Sequence, residues 1–404
     1  MVTQKQEILS RAEEMADQLT MWRRKLHTNP ELSFQENETA KFVASALEKI
    51  PGMEVQTGVG YPTAVVGTLQ NGPGPTIAIR ADMDALPIQE TGAHDYRSVN
   101  EGVMHACGHD AHTTIALGAA TVLGEYFQAG KLNGTVKFLF QPAEERADDH
   151  GSTGAPYMIQ AGVLDGVDAV IALHMSPENR IDEVQMHDGY SMASVDVFKG
   201  TIFGTGGHGA YPHLGTDPIW VLGPVLQALY GIAARRVSPL EPAVISIGEI
   251  HSGSTSNVIP STVELKGTIR SYHPEVRGIL HSELRKAFSM VEALGGAFNL
   301  DILPEDPALK NDAVINAFLR GTISDLYPNF TILETPFGMG GEDFAHMTRT
   351  VPGAMFFLGC GLPDGKPRNL HTPTFDIDEK CLPVGVSIMA ETAIRFLQKR
   401  GPSM

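Results

Sequence analysis

The 404-residue chain holds only three cysteines, Cys107, Cys360 and Cys381, scattered too widely for a disulfide framework. That scarcity excludes a stapled secreted scaffold and points to a reducing compartment. Basic charge is also short. Thirty Lys and Arg stand against 47 Asp and Glu, a formal charge of −17 with no basic block to offset it. A nucleic-acid or anionic-membrane partner would need concentrated positive charge, so neither is expected. Long apolar runs are missing as well: nothing approaches the ~20 residues of a membrane span. The N-terminus, "MVTQKQEILSRAEEMADQL", is charged throughout and lacks the apolar core of a signal peptide. These absences predict a cytoplasmic protein, in which the sequons "NET", "NGT" and "NFT" are chance matches. The chain has no internal repeat and no low-complexity tract.

What is present reads as globular. The hydrophobic fraction is 42% and the charged fraction 19%, ordinary for a folded protein, and the length favours two domains over one core. Ile8, Leu9, Ala12, Met15, Ala16, Leu19 and Trp22 recur at helical spacing, and a second helix is expected over about 36–50, ending at Pro51-Gly52. Short apolar runs at 76–80, 136–140 and 169–174 alternate with helical stretches at 112–127 and 154–162. Buried strands alternating with helices predict an α/β layer with a largely parallel sheet flanked by helices. Near residue 190 the rhythm changes to strand 194–203, a helix through Arg236, strands 243–250 and 261–270, a helix from Pro274, and strand 297–303. That β-α-β-β-α-β order is a ferredoxin-like unit. A helix at 312–327, strand 354–359 and a helix at 378–398 resume the α/β pattern. The expectation is a catalytic α/β domain in two parts, 1–189 and 304–404, interrupted by a small inserted domain at 190–303.

In open α/β sheets, ligands bind beyond the carboxyl ends of the strands. There the first strand runs into Asp82 and Asp84, the second into Glu144 and Glu145, and the third into His174. "MHACGHD" lies just before a helix, and "NLHTPTF" places His371 in a late loop. Each residue alone has an ordinary reading as solvated acid, helix cap or loop histidine. Five segments bringing Cys, His, Asp and Glu to one sheet edge require five such coincidences. Thiolate, imidazole and carboxylate together suit zinc, or Mn, Co or Ni. Paired glutamates suit hydrolysis, one carboxylate binding metal while its neighbour takes a proton from activated water. Asp84 is placed to orient a ligand histidine through its other ring nitrogen.

In order, "LHTNPELSFQENET", "RADMDALPI", "GVMHACGHDAHT", "FQPAEE", "ALHM", "GTGGHGAYPH", "SNVIPSTVELKGTIR", "GMGGEDFA" and "LHTPTF" resemble the dinuclear-metal aminoacylase and carboxypeptidase family of metallopeptidases. Within it the resemblance is to the branch of hippurate hydrolase, N-acyl-L-amino acid amidohydrolase and auxin-conjugate (IAA-amino acid) hydrolase. It spans about Trp22 to the last helix. It implies a metal-bearing α/β domain interrupted by a lid domain that often dimerises, and so a homodimer or higher homo-oligomer. It also implies two divalent metal ions per subunit, zinc first and Mn, Co or Ni after it, held by Cys107, His109, Glu145, His174 and His371. Cys107 would bridge, His109 and His174 completing one metal, Glu145 and His371 the other. Glu144 matches the general base and acid, and His208 the residue that stabilises the oxyanion, often at the partner subunit's site. Asn257 and Arg270 match residues that bind the substrate carboxylate, and Gly340 lies in a loop whose backbone runs against the substrate. Asp82 stays outside the ligand set. The implied activity is cleavage of the acyl-amide bond of small N-acyl-L-amino acids. A dipeptidase, carboxypeptidase or N-acetyl-diaminopimelate deacetylase is the nearest alternative. A binding protein on a retired hydrolase scaffold and a metal-free thiol enzyme are more distant ones.

Other motifs are set aside. "GTGGHG" fits a dinucleotide fingerprint in letters, but Pro212 and Pro218 prevent the helix it must open. "GYSMAS" lacks the second glycine of a nucleophile elbow, and Cys107 has no C-x-x-C partner. The segment after "QPAEE", "RADDHGSTGA", is longer and more charged than the resemblance implies, with His150 read as an exposed loop residue. His105 and His112 are read as structural, and Asp110 as a helix cap or a group behind the ligands.

Overall fold

The computed structural model describes residues 3–398. The chain divides into two compact units. One takes the chain up to Gly189, Lys310–Phe337, and the chain from Asp343 onward; the other takes Tyr190–Leu309 and Gly338–Glu342.

The first unit is built on an eight-stranded sheet. Across it lie Glu54–Thr57, Val65–Asn71, Gly134–Gln141, Thr76–Asp82, Ala169–Ser176, Gly353–Gly359, Glu183–Gln185 and Thr331–Leu333. The central four, Gly134–Gln141 through Gly353–Gly359, pair in parallel. Antiparallel pairing enters towards the edges, where Val65–Asn71 joins both of its neighbours and Glu183–Gln185 meets Gly353–Gly359. Ala169–Ser176 and Gly353–Gly359 are buried along their whole length, as continuous apolar runs in a covered parallel sheet should be. The helix His109–Gln128 is apolar almost all round and correspondingly buried. It packs closely on Cys381–Leu397: a Cβ at Gly118 would stand 2.4 Å from Val386 Cγ2.

The N-terminal periodicity belongs to two helices, Gln4–Glu14 and Ala16–Thr28. At the junction the Met15 N–H bonds back only three residues, to Ala12, and the tightened turn redirects the chain with Met15 still in the core. The helix expected at 112–127 starts three residues earlier, at His109. Among the described residues no helix is long and apolar enough to cross a membrane.

The second unit holds a four-stranded antiparallel sheet in the order Ala243–His251, Thr262–Ser271, Ser194–Phe203, Ala297–Pro304. The helices Pro218–Arg236 and Pro274–Ala293 pack on it, and Phe198, Ile202, Val221, Leu229, Leu280, Leu284 and Phe288 form the core. Its strands alternate in burial, as Thr262–Ser271 shows, because one face meets helices and the other does not. Gly200 leaves room for the Phe288 ring, which a Cβ would meet at 2.3 Å. The ladder between Ser194–Phe203 and Thr262–Ser271 is unbroken over ten residue pairs.

Candidate metal centre

The carboxyl ends of three neighbouring parallel strands supply the floor of the centre. Thr76–Asp82 leads to Asp84, Gly134–Gln141 leads through Pro142 and Ala143 to Glu144 and Glu145, and Ala169–Ser176 contains His174. Cys107 precedes the helix His109–Gln128, of which His109 is the first residue. Between them Gly108 takes φ 93°, and a Cβ there would lie 2.9 Å from Met175 Cβ. Only glycine fits this left-handed, crowded position. Ala143 and His371 also have positive φ, 49° and 59°, uncommon for residues with a Cβ and held only where neighbours fix the backbone. The His371 N–H donates to Ala106 O at 2.7 Å, and Gly154 N–H donates to Ala143 O at 2.8 Å.

These segments bring Cys107, His109, Glu144, Glu145, His174 and His371 together. Cys107 Sγ lies 3.4 Å from His174 Nε2 and 3.3 Å from His371 Nε2. His371 Nε2 lies 3.3 Å from Glu145 Oε1. Two donor groups share the sulfur: Cys107 with His109 and His174, and Cys107 with Glu145 and His371, the donor atoms in each all within 4.8 Å of one another. His109 Nε2 faces Glu145 Oε1 at 3.8 Å and Glu144 Oε2 at 4.0 Å.

In two of the rings the nitrogen that faces inward is the one left for a ligand. His174 Nδ1 lies 2.8 Å from the Met175 carbonyl and His109 Nδ1 lies 2.9 Å from the Asp84 carbonyl. A carbonyl only accepts, so each Nδ1 holds the proton and Nε2 is left free. His109 Nε2 and Glu145 Oε1 are buried and have no hydrogen-bond partner, a costly state for polar atoms with nothing bound. Charge tells the same story. Burial opposes a charged His109, yet Asp82, Asp84 and Glu145 outweigh it and raise its pKa to about 10. Burial, reinforced by Glu145, Glu144 and Asp82, pushes the Cys107 thiol well above its ordinary value. An electron-rich pocket of this kind lacks positive charge. Donors on one tetrahedral ion with bonds of about 2.0–2.3 Å stand roughly 3.3–3.8 Å apart, which matches the spacings around Cys107. The residues therefore fit two divalent cations.

A surrounding layer fixes the donors. The Asp84 carboxylate accepts the N–H groups of Glu144 and Glu145 at 3.1 and 3.0 Å and the Ser33 hydroxyl at 2.6 Å. It also lies 3.3 Å from His109 Nδ1, so it aligns both glutamates as well as the histidine. Asp82 Oδ2 is 3.7 Å from His109 Nε2, but its carboxylate is engaged by Arg80 at 2.5 Å and His112 at 2.6 Å. His112 Nε2 in turn accepts the Met175 N–H at 2.9 Å and so steadies the strand that carries His174. Asp110 pairs with fully buried Arg23 at 2.9 Å. His105 is buried, and His150 is exposed on a turn closed by Asp148. Ser33, marked in the sequence only by its place in "PELSF", and the pairing of Asp82 with His112 are added by the structure.

The remaining candidates lie in the second unit. His208 is exposed on the short strand Gly207–His208, paired with Val258–Ile259, and its Nδ1 accepts the Ala210 N–H at 3.0 Å. Asn257 is exposed and Arg270 half-buried, with Arg270 Nη1 donating to Met339 O at 3.1 Å. Gly340 O accepts from the Ala193 N–H at 2.9 Å.

Known proteins share this chain's pattern over nearly its whole length. Thermostable carboxypeptidase 2 of Saccharolobus solfataricus is 40% identical over 396 residues, covering 96% of this chain and 97% of the relative. N-acetyl-L-cysteine deacetylase of Bacillus subtilis is 38% identical, covering 96% and 90%. Among solved structures, a dinuclear metal-binding peptidase of the M20 family from Bacillus subtilis superposes with a TM-score of 0.82 at 33% identity, covering 96% of this chain and 99% of that one. The model of peptidase family M20/M25/M40 matches residues 78–395. Taken with the donor geometry, these matches establish that the chain belongs to peptidase family M20/M25/M40.

Proposed function

We propose that this protein is a metal-dependent amidohydrolase that cleaves the acyl-amide bond of N-acyl amino acids. The observation that carries the reading is the Cys107 sulfur shared between two donor groups, with the Glu144 carboxylate beside them. In this reading Cys107, His109 and His174 hold one ion, and Cys107, Glu145 and His371 the other. Thiolate and imidazole donors favour zinc, with Mn, Co or Ni as substitutes. When bound, the ions would supply Lewis acidity, lowering the pKa of water and polarising the acyl carbonyl.

The protein's own groups do the rest. Glu144 takes the proton from the attacking water at its carboxylate and returns it to the leaving amine. Asp84 holds that glutamate by its backbone N–H. His208 donates to the oxyanion. Arg270 and Asn257 hold the carboxylate of the amino acid, a task suited to a planar guanidinium, and the Gly340 backbone lies along the substrate. The inserted unit serves as lid and as dimer contact. The deacetylase relative supports N-acyl substrates, and the carboxypeptidase relative supports a dipeptide as the second choice.

The test is a panel of acetyl, benzoyl and indoleacetyl amino acids and dipeptides, with and without added Zn or Mn and with a chelator. Metal-dependent turnover is expected to be fastest on an acyl amino acid. Bound metal without turnover on any of them would favour a binding protein, and activity indifferent to chelator would favour a thiol enzyme.

A further inference from the structure

A second cluster of imidazoles and carboxylate lies apart from Cys107. His27, in the last turn of the helix Ala16–Thr28, is fully buried, with Nδ1 2.7 Å from Asp110 Oδ2. A carboxylate only accepts, so Nδ1 carries a proton and donates it. The opposite nitrogen, His27 Nε2, faces Glu90 Oε1 at 3.3 Å. The same oxygen has a second ring against it, His94 Nε2 at 2.8 Å. Both ring nitrogens of His94 are buried; Nδ1 has no partner, and Nε2 meets only Glu90, at ion-pair distance but without hydrogen-bond alignment. Doubly protonating His27 would satisfy its contact with Glu90 but would leave His94 Nδ1 without a partner and His94 Nε2 off the line of a hydrogen bond. The signature matches the Cys107 centre, where His109 Nε2 and Glu145 Oε1 are buried without partners.

The carboxylate and rings are held in place. Glu90 Oε2 accepts the Ser98 N–H at 2.7 Å, and Tyr96 stacks on His94 with centroids 4.0 Å apart. The buried His105, its ring centroid 6.4 Å from that of His27, adds two more nitrogens without partners.

We propose that His27, Glu90 and His94 hold a third divalent cation, zinc or a neighbouring first-row ion that binds imidazole and carboxylate together. The donor atoms of the three already lie within 4.8 Å of one another, and they share no residue with the groups around Cys107. The site has a structural task. Between the strand ending at Asp82 and the helix starting at His109 the chain has only isolated bridges, a length without regular structure that is uncommon in a compact domain. A cation on Glu90 and His94 ties this segment to the helix bearing His27, and the segment ends in Cys107.

The experiment uses the zinc-loaded protein. Crystals are measured above and below the zinc absorption edge, and zinc per subunit is determined after dialysis for the wild type, His94→Ala and Glu90→Gln. An anomalous peak among His27, Glu90 and His94, with one ion per subunit fewer in either variant while the Cys107 centre keeps its ions, is expected. No peak at this position in crystals whose Cys107 centre is filled would overturn the proposal, as would a third ion that survives His94→Ala. The wild-type crystals answer the question even if both variants fail to fold, and no outcome depends on turnover.

Discussion

The residues proposed to carry the chemistry are held in opposite ways in the two units. Around Cys107 four side chains are fixed by partners: His174 by a carbonyl, His109 by Asp84, and the two glutamates by the carboxylate that collects their N–H groups, while His371 is held through its backbone N–H. In the second unit His208 and Asn257 are exposed, and their side chains meet near neighbours in the chain, His208 with Ala210 and Tyr211 and Asn257 with Thr255. A parallel sheet covered on both faces delivers side chains to a buried edge. His208 sits on a separate two-stranded ribbon and Asn257 just before its other strand, outside the packed four-stranded sheet, and both stay in solvent. Preorganised donors suit an ion that is kept through every turnover; free ones suit a substrate that comes and goes.

That contrast can be broken by substitution. Glu144→Gln is expected to lower kcat by about 10²–10⁴-fold while metal analysis still finds two ions at the Cys107 centre. Loss of metal in that variant would mean that the two glutamates do not divide the work. His208→Ala should cost about 10²–10³-fold in kcat with ion content and melting temperature unchanged. A drop in bound metal would place His208 with the fixed set instead. Arg270→Ala should reduce kcat/KM by about 10–100-fold, the worth of a charged hydrogen bond, on substrates with a free carboxylate. An equal loss on the corresponding amides would refute its assignment to the carboxylate.

The smallest effects sharpen the structural side of the comparison. Asp312 caps the helix Ala313–Leu326 in the first unit, and Asp217 caps Pro218–Arg236 in the second, each accepting two backbone N–H groups. Replacing either by Ala should cost about 1 kcal/mol, read as a shift in chemical denaturation. If the units melt separately, only one transition moves in each variant.

Sequence carried the central strands well, because runs such as 76–80 and 169–174 are apolar without interruption and bounded by turns. Glu54–Thr57 and Val65–Asn71 escaped notice. The first is largely exposed, and the second passes through Gly67 and ends in exposed Gln70 and Asn71. The ferredoxin-like order was legible because alternating burial leaves a period of two in the residues themselves. At the centre, the donor types and their segments could be read, but their spacing could not, since it depends on backbone turns at Gly108, Ala143 and His371. Positive φ at Ala143 and His371 has no sequence signature, as neither is a glycine. The supporting layer was hidden for another reason: Ser33 meets Asp84, and His27 meets Glu90 and Asp110, across gaps of 51, 63 and 83 residues.

One sulfur atom belongs to both donor groups, and that has a chemical price. Oxidation of Cys107 to a sulfinic acid is irreversible by ordinary reductants, and here it would take a soft donor from two ion sites in one event. A protein with separate ligands could be damaged by halves. On the proposed assignment this one should lose its pair of ions together.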